Sequence, residues 1–427
     1  MMAMVAESSA ERRLRLVRQH GYNGLALLTL YDGWRYFESP DIDGFVPFEL
    51  HRRTAVACGD PVCAESDLPV LLAAFAAYCQ THRWRFAFVG ATDRVARVAS
   101  KLGLKPVKVG EEPLFDLSQP LPRGDRAKRA RWAINRARRS GVCVEEYRER
   151  SPVVDAEIEE VAAEWLGARK GPPLSFLLRS RPLALRDEKR IFIARYGERI
   201  VGVIVCSPAR ARMMLLVEEL PRRSDAPFGT SELLIDAARE AARRDGYALF
   251  SLGVSPLQGA AGRQPYGRFR LARALAAACY SCANVIYSFR LLNRFKKKFA
   301  PTRCDDSFLI YQSALLATTL AVVTAFSPDG ISSLLLPRRL QRLRVVPATA
   351  LWIAAVAGLF VAGFAAWQFP ALQTPFLLVR HAVSLAVLPE DLMQDARITV
   401  FAHRMVSLIV VLVLAGGGML WRRQAGA

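Results

Sequence analysis

Short apolar segments with strand character alternate with helical stretches through roughly the first 120 residues. The predicted strands cover residues 25–31, 45–50, 54–58, 85–89 and 114–117, and the predicted helices cover residues 68–82 and 93–102. Alternation of this kind favours an α/β layer structure, because helices then cover the apolar faces of a sheet.

The same alternation returns in a second segment of the chain. Predicted strands cover residues 190–196, 201–207, 212–217 and 248–252, and predicted helices cover residues 155–166 and 231–244. Thr230 or Ser231 is the expected N-cap of the last helix, with Glu232 in its first turn. We therefore predict two α/β domains in tandem, at residues 21–120 and 121–300, after an N-terminal extension at residues 1–20.

A strongly basic segment joins the two units. Residues 123–139 hold eight Lys or Arg residues and one acid, Asp125, with Trp132 among them. The whole chain has a formal net charge of +20, which attracts anionic partners over a long range. This surface is suited to phosphates, and both nucleic acid and anionic lipid are candidate partners.

The C-terminal region is strongly apolar and is predicted to associate with a membrane. Residues 346–369 hold no charge over about 24 positions, enough to cross a bilayer core, and residues 405–421 form a shorter candidate span. Residues 308–326 are apolar but carry several polar side chains, so we expect an interfacial or domain-packed helix there. The N-terminus has no apolar signal sequence, which places the first domains in the cytoplasm.

A candidate anion site follows the predicted strand at residues 212–217. The loop after that strand carries Arg222 and Arg223 and leads through Gly229 into the capped helix. A helix N-terminus presents free backbone N–H groups to an anion. Cys279 and Cys282 form one CxxC pair, but no second pair and no nearby pair of histidines completes a zinc site, so we expect no metal and no other cofactor.

These features, taken in order, resemble the C-terminal catalytic region of the lysyl-phosphatidylglycerol synthases, or multiple peptide resistance factors. The resemblance covers roughly residues 21–301. It is carried by Gly59-Asp60-Pro61, Lys108-Val-Gly-Glu-Glu112, Phe115-Asp-Leu117, Asn135-Arg136, Glu164-Trp165-Leu166, Ala226-Pro-Phe-Gly229, Leu252-Gly-Val-Ser-Pro-Leu257 and Phe295-Lys-Lys-Lys-Phe-Ala-Pro301.

The resemblance implies a tandem GNAT-like fold and an aminoacyltransferase that moves an amino acid from aminoacyl-tRNA to a membrane glycerolipid such as phosphatidylglycerol. It implies catalytic roles for Glu218, Glu219 and Arg222. Substrate contacts are expected from Pro227, Gly229, Gly253, Ser255, Lys296 and Lys298, and tRNA contacts from Lys128, Arg129, Arg131, Arg136, Arg138 and Arg139. The expected location is the inner membrane, with the catalytic domains on its cytoplasmic face.

The chain also departs from the family pattern. Glu218-Glu-Leu-Pro-Arg222 replaces the usual Asp-Leu-Met-Arg, and Gly171-Pro-Pro-Leu-Ser-Phe176 stands where the family has an acid. Two alternatives therefore stay open. One is an acyl-CoA-dependent GNAT acyltransferase that uses the turn before the helix for a pyrophosphate. The other is a non-catalytic, membrane-tethered protein that binds tRNA or anionic lipid.

Overall fold

The computed structural model describes residues 7–119, 125, 127–168, 180–260, 262, 264–267 and 289–326. These residues form twelve strands of one sheet. The strands are β1 Arg35–Glu38, β2 Phe45–His51, β3 Thr54–Cys58, β4 Arg85–Ala91, β5 Lys105–Asp116, β6 Val142–Glu146, β7 Arg190–Tyr196, β8 Arg199–Ala209, β9 Met214–Glu219, β10 Leu249–Ser251, β11 Ser255–Pro256 and β12 Arg303–Tyr311.

Eight α-helices lie in the described part of the chain. They are α1 Ser9–His20, α2 Leu68–Thr81, α3 Asp93–Lys101, α4 Lys128–Arg139, α5 Pro152–Gly167, α6 Thr230–Arg244, α7 Phe289–Lys297 and α8 Leu315–Phe326. A capping box between Ser8 and Glu11 starts α1, and Leu16 of this helix is fully buried beside Phe45. Residues 9–20 therefore pack into the core.

The sheet consists of two similar halves. In one half, β1, β2 and β3 are antiparallel, and a crossover through α2 brings β4 parallel to β3. In the other half, β6 to β9 are antiparallel, and a crossover through α6 brings β10 parallel to β9. The predicted α/β class is confirmed. The predicted domain boundaries stay a prediction.

The two halves meet at β5 and β12. The order across the sheet is β1-β2-β3-β4-β12-β5-β10-β9-β8-β7-β6, and β11 pairs with β5. β12, which comes last of all the described strands, lies between β4 and β5 and is antiparallel to both. A strand from after residue 300 thus completes the sheet beside strands from the first 120 residues.

Each half has its own apolar core. Aromatic residues dominate the first, where Phe75 packs against Phe48 and Phe88 with ring centroids 5.6 Å apart in both pairs. The second core lies between α4, α6 and the sheet, and it buries Leu234 of α6 and Phe250 of β10 completely. Both cores are close-packed layers of helix on sheet, as the alternation in the sequence predicted.

Most predicted elements are confirmed to within a few residues, but the strand predicted at residues 25–31 is wrong. Leu27–Leu30 is a 3₁₀ helix, and the first strand starts at Arg35. The Asn23 side chain accepts a hydrogen bond from the Leu25 N–H at 2.9 Å, which bends the backbone locally. The apolar side chains of this turn enter the core without the chain becoming extended.

Two further details differ from the expectation. The N-cap of α6 is Gly229, with φ of 94°, and no side chain caps the helix. Thr230 instead donates its hydroxyl back to the Pro227 carbonyl at 2.7 Å. The apolar segment at residues 308–326 is not one helix, because its first four residues belong to β12 and α8 starts only at Leu315. α8 packs on the sheet through Ala321 and Ala325, as expected for a domain-packed helix.

Candidate active site

Two adjacent glutamates lie at the end of β9, where the pairing with β8 is irregular. Val205 pairs with Glu219 and Cys206 pairs with Val217, so Glu218 is the extra residue of a β-bulge. A bulge breaks the strict alternation of side chains between the two faces of a sheet and can redirect a side chain toward a site. The sequence pattern could not show this irregularity.

Glu218 is held by a buried polar network. Its side chain is 4 % exposed and lies 3.0 Å from the ammonium of Lys189, which is fully buried. Tyr31 and Ser207 donate their hydroxyl groups to the two carboxylate oxygens, and Lys189 also donates to the Tyr31 oxygen. The charge of Glu218 is therefore already matched by a cation and two hydroxyl donors.

Glu219 lies in a different environment, although it is the next residue. It is 8 % exposed and accepts hydrogen bonds from the Arg181 N–H at 2.7 Å and from the Ser180 hydroxyl. Burial raises the pKa of Glu219 to about 7, and the nearby charge of Glu218 adds to this increase. A carboxyl group with such a pKa can exchange a proton near neutral pH.

The predicted catalytic Arg222 is exposed and lies three residues beyond this pair. Its guanidinium donates to the Arg223 carbonyl at 3.3 Å, and its backbone forms a bridge with Gly202 of β8. Arg223 is buried and forms salt bridges with Glu160 and Glu164. The Arg222 side chain is thus accessible to a ligand, whereas the salt bridges of Arg223 hold the loop against α5.

The turn before α6 packs closely against α4. Gly229 is buried with φ of 94°, and a Cβ built on it would lie 2.0 Å from the Ala133 carbonyl oxygen of α4. The Pro227 carbonyl accepts the Thr230 N–H at 3.2 Å as well as its hydroxyl. Gly229 is therefore needed for the close approach of two helices. Its role in an anion site stays a prediction.

The predicted substrate residues Gly253, Ser255 and Lys296 lie close together, where α7 packs on β11. Lys296 is buried and donates to the carbonyl groups of Gly253, at 2.8 Å, and Val254, at 3.0 Å. Burial lowers the pKa of Lys296 to about 7. The Ser255 hydroxyl is buried and has no hydrogen-bond partner among the described residues.

The Lys298 side chain contacts α6 and not the Gly253–Val254 segment that Lys296 binds. Its ammonium pairs with Glu232 in the first turn of α6 and lies 3.8 Å from the centre of the Phe295 ring. The side chain therefore links α7 to the start of α6, near the loop that carries Gly229. The structure does not bring Lys298 into contact with Lys296, although only one residue separates them in the sequence.

The predicted tRNA-binding residues form one face of α4. Ala130, Ile134 and Ala137 of this helix are buried against the core of the second half. The basic residues point outward, and all are exposed except Arg131, which is half-buried. Arg138 is 2.9 Å from Asp236 of α6. The remaining cationic side chains of α4 form an outward basic surface, which is suited to phosphates.

Sequence reasoning did not find four polar residues of the Glu218–Glu219 site. They are Tyr31, Ser180, Lys189 and Ser207. Tyr31 and Lys189 are 158 residues apart in the chain and meet only in the fold. One signal was available, since Lys189 stands directly before the apolar strand β7, where a buried charge needs a partner.

The described residues hold no group of His, Cys, Asp and Glu that could bind a metal ion. Nor does any helix within the described ranges have the length and apolar character needed to cross a bilayer. The candidate spans at residues 346–369 and 405–421 lie outside the described residues, as does the segment 171–176.

The described residues define a duplicated α/β architecture with a buried carboxylate pair at a strand bulge. The chain belongs to the family described as phosphatidylglycerol lysyltransferase, C-terminal, whose model matches residues 14–311. The family resemblance seen in the sequence is therefore confirmed. The match begins within α1 and ends with the last residue of β12.

Relatives and solved structures agree with this assignment. A phosphatidylglycerol lysyltransferase of Bacillus subtilis is 24 % identical over 74 % of this chain and 37 % of its own length. An MprF-like domain protein of Mycobacterium tuberculosis is 29 % identical over 63 % of this chain and 57 % of its own length. The chain thus spans between about a third and somewhat over half of the length of these curated relatives.

Two solved structures share the fold. The structure of L-PGS from Bacillus licheniformis matches with a TM-score of 0.63 and 22 % identity, over 76 % of this chain and 98 % of that chain. The C-terminal DUF2156 domain of an Agrobacterium fabrum protein, named for lysylphosphatidylglycerol synthetase, matches with a TM-score of 0.64 and 21 % identity, over 74 % of this chain and 96 % of that chain. These likenesses support the fold.

Proposed function

We propose that this chain transfers an aminoacyl group from aminoacyl-tRNA to a hydroxyl group of an anionic glycerolipid such as phosphatidylglycerol. Membership of a family of lipid aminoacyltransferases supports the reaction class. The observation that carries the proposal is the buried carboxyl group of Glu219, whose pKa is raised to about 7 beside a second, fully paired carboxylate.

The reaction needs a group that moves one proton. The lipid hydroxyl oxygen attacks the ester carbonyl carbon of the aminoacyl-tRNA, and the hydroxyl proton goes to the Glu219 carboxylate. A new ester bond forms, the bond to the ribose oxygen breaks, and that oxygen takes up the proton. A base with a pKa near the working pH does this most effectively, and such catalysis typically contributes about 10²- to 10⁴-fold in rate.

Glu218 acts as a positioning residue in this proposal. Its charge is held near Glu219 by Lys189 and Tyr31, and it helps to keep the Glu219 proton bound at neutral pH. Glu218 is less suited to bind the α-amine of the aminoacyl group, because its carboxylate is already paired with the Lys189 ammonium. The exposed Arg222 is available to contact a phosphate of either substrate.

The outward face of α4 supports the tRNA donor, and we propose that its cationic side chains contact the tRNA backbone. α7, which ends in the basic residues Arg294, Lys296 and Lys297, precedes the strand β12. The apolar segments at residues 346–369 and 405–421 would hold the protein at the inner membrane, with these domains on the cytoplasmic side where tRNA is present.

Reconstitution tests this function directly. The purified full chain is mixed with tRNA carrying a radiolabelled amino acid and with phosphatidylglycerol in detergent micelles, and the lipids are separated by thin-layer chromatography. We expect a labelled, ninhydrin-positive lipid from the wild type, formed about 10²- to 10⁴-fold more slowly by Glu219→Gln. Glu198→Gln is the matched control, because Glu198 is exposed in the β7–β8 turn and should leave transfer unchanged.

The alternatives predict different results in the same assay. An acyl-CoA-dependent enzyme would be retained on a CoA resin and would form no labelled lipid from aminoacyl-tRNA. A binding protein would shift tRNA in a gel and leave the aminoacyl ester intact. Lipid formation that is unchanged in Glu219→Gln would keep the reaction and remove Glu219 from it.

A further inference from the structure

Two aromatic rings and a guanidinium form an exposed cluster at the contact between α4 and the loop before α6. Trp132 is 55 % exposed and Phe228 is 56 % exposed, and their ring centroids are 5.3 Å apart in an edge-to-face arrangement. The Arg136 guanidinium lies 5.4 Å from the Trp132 ring and 5.5 Å from the Phe228 ring. We call these three side chains the aromatic platform.

The platform is built by the fold. Trp132 and Arg136 are four residues apart on one face of α4, and Phe228 comes from a different segment of the chain. Gly229 lies against the Ala133 carbonyl, which fixes the loop on the helix and places Phe228 beside Trp132. Two large apolar rings are thus held at the surface by a contact that only glycine allows at this position.

The surroundings of the platform are cationic. Lys128, Arg129 and Arg139 are exposed on the same helix, and no carboxylate of the described residues lies within salt-bridge distance of Arg136. Aromatic rings interleaved with basic side chains bind single-stranded nucleic acid, because each base stacks on a ring while phosphates meet the cations. A guanidinium plane offers a further stacking surface for a base.

We infer that the aromatic platform stacks an unpaired nucleobase at the single-stranded end of an RNA. This inference rests on the proposed function for the identity of the RNA, because the ester of aminoacyl-tRNA is attached to such an end. A lipid surface fits less well. The apolar face of α4 is buried against α6, so the helix cannot insert it into a bilayer, and Trp132 is its one exposed apolar side chain in the structure described.

The position of the platform suits this role. Glu219, the proposed base, is the last residue of β9 and directly precedes the loop, and Phe228 lies near the far end of the loop. At most nine residue spacings separate Phe228 from Glu219, which limits the distance between them to about 30 Å. Glu219 and Phe228 therefore lie within this limit, on either side of one short loop.

Anisotropy of a labelled RNA hairpin with a single-stranded 3′ overhang, compared with the same hairpin made blunt, tests the inference on the full chain in detergent. We expect Trp132→Ala to raise the Kd for the overhang hairpin by about 5- to 100-fold, the usual effect of losing one stacked base. Its Kd for the blunt hairpin should stay within about twofold, because phosphate contacts dominate there. Trp132→Phe should restore most of the affinity.

Tyr196→Ala is the matched control, since Tyr196 is another aromatic side chain about half exposed, at the end of β7. It should change neither Kd. Equal weakening of overhang and blunt RNA by Trp132→Ala would overturn the inference, and so would no weakening of either. Loss of binding to vesicles of phosphatidylglycerol and phosphatidylcholine, with RNA binding intact, would assign the platform to lipid and also overturn it.

The same variants separate this inference from the proposed function. Overhang binding that depends on Trp132, in a chain that forms no aminoacyl lipid, would keep the platform and remove the transferase. Lipid formation with overhang binding that is unaffected by Trp132→Ala would keep the transferase and remove the platform. Thermal unfolding of each variant shows that it is folded.

Discussion

Replacing Glu219 with Gln should change both the pH dependence of transfer and the pH dependence of stability. Gln has the shape of the protonated carboxyl group and can still accept the Arg181 N–H, but it cannot take a proton from a lipid hydroxyl. In the wild type, transfer should rise with pH through about 7 as Glu219 becomes charged. In Glu219→Gln this rise should be absent, and the rate should fall by about 10²- to 10⁴-fold.

The charge on Glu219 that favours transfer at high pH lowers the stability of the folded protein. The folded-state pKa of Glu219 is about 7 against an ordinary value of 4.5, so the folded protein binds this proton more tightly than the unfolded chain does. Stability contributed by the protonated form is present below about pH 4.5 and is lost as pH rises through 7. The difference of about 2.5 in pKa corresponds to roughly 3 kcal/mol.

Urea unfolding of both proteins in detergent, followed by tryptophan fluorescence, measures this effect. Relative to the wild type, Glu219→Gln should gain stability steadily from about pH 5 to 7 and reach a plateau of up to about 3 kcal/mol near pH 8. A difference between the two proteins that is constant over this range would show that the Glu219 pKa is not raised. The proposed role as a base would then lose its physical support.

Three further substitutions, two of them with a companion variant, test the packing and the charges of the site. Gly229→Ala should lower the free energy of unfolding by roughly 2–4 kcal/mol, because the new Cβ would lie 2.0 Å from the Ala133 carbonyl oxygen. Gly246→Ala has open space around it and should lower the free energy of unfolding by only about 1 kcal/mol, because of its positive φ. Thermal melts compare the two variants. Lys189→Met should destabilise by about 3–5 kcal/mol by leaving Glu218 buried without its cation, and adding Glu218→Gln should recover part of that loss in a double-mutant cycle. In the wild type, stability should rise between about pH 7 and 10, because the lowered pKa of Lys296 makes the folded state bind fewer protons there than the unfolded chain. Lys296→Met should remove this rise. Urea unfolding midpoints that still rise with pH in the variant would contradict this.

The periodicity of the sequence predicted most of the fold. Residues 190–196 were predicted as a strand and are β7, and the helix predicted at residues 68–82 is α2 with one residue fewer. The error at residues 25–31 arose because a run of seven residues, all apolar except Thr29, fits both a strand and a buried turn. The Asn23 side chain decided between them through a local hydrogen bond.

The site was predictable in part. Glu218 and Glu219 were found through the family resemblance, because they stand where the family has its Asp-Leu-Met-Arg segment. Their different environments were not predictable, because a bulge and partners far away in sequence determine which carboxylate is paired. Gly229 was read as part of an anion site, but the structure shows that glycine is needed there for contact between helices. From the sequence alone, a glycine that is needed for a positive φ cannot be distinguished from one that is needed for close contact between two helices.

The position of β12 also has a consequence for the order in which the protein can fold during synthesis. β4 and β5 leave the ribosome early, yet the strand that pairs with both of them follows β5 by almost 190 residues. Until β12 emerges, the facing edges of β4 and β5 present unpaired N–H and carbonyl groups, which favour aggregation. Domains usually complete one after another on the ribosome. Here the edges of β4 and β5 stay open until β12 emerges, so we expect the nascent chain to need protection until residue 311 is available.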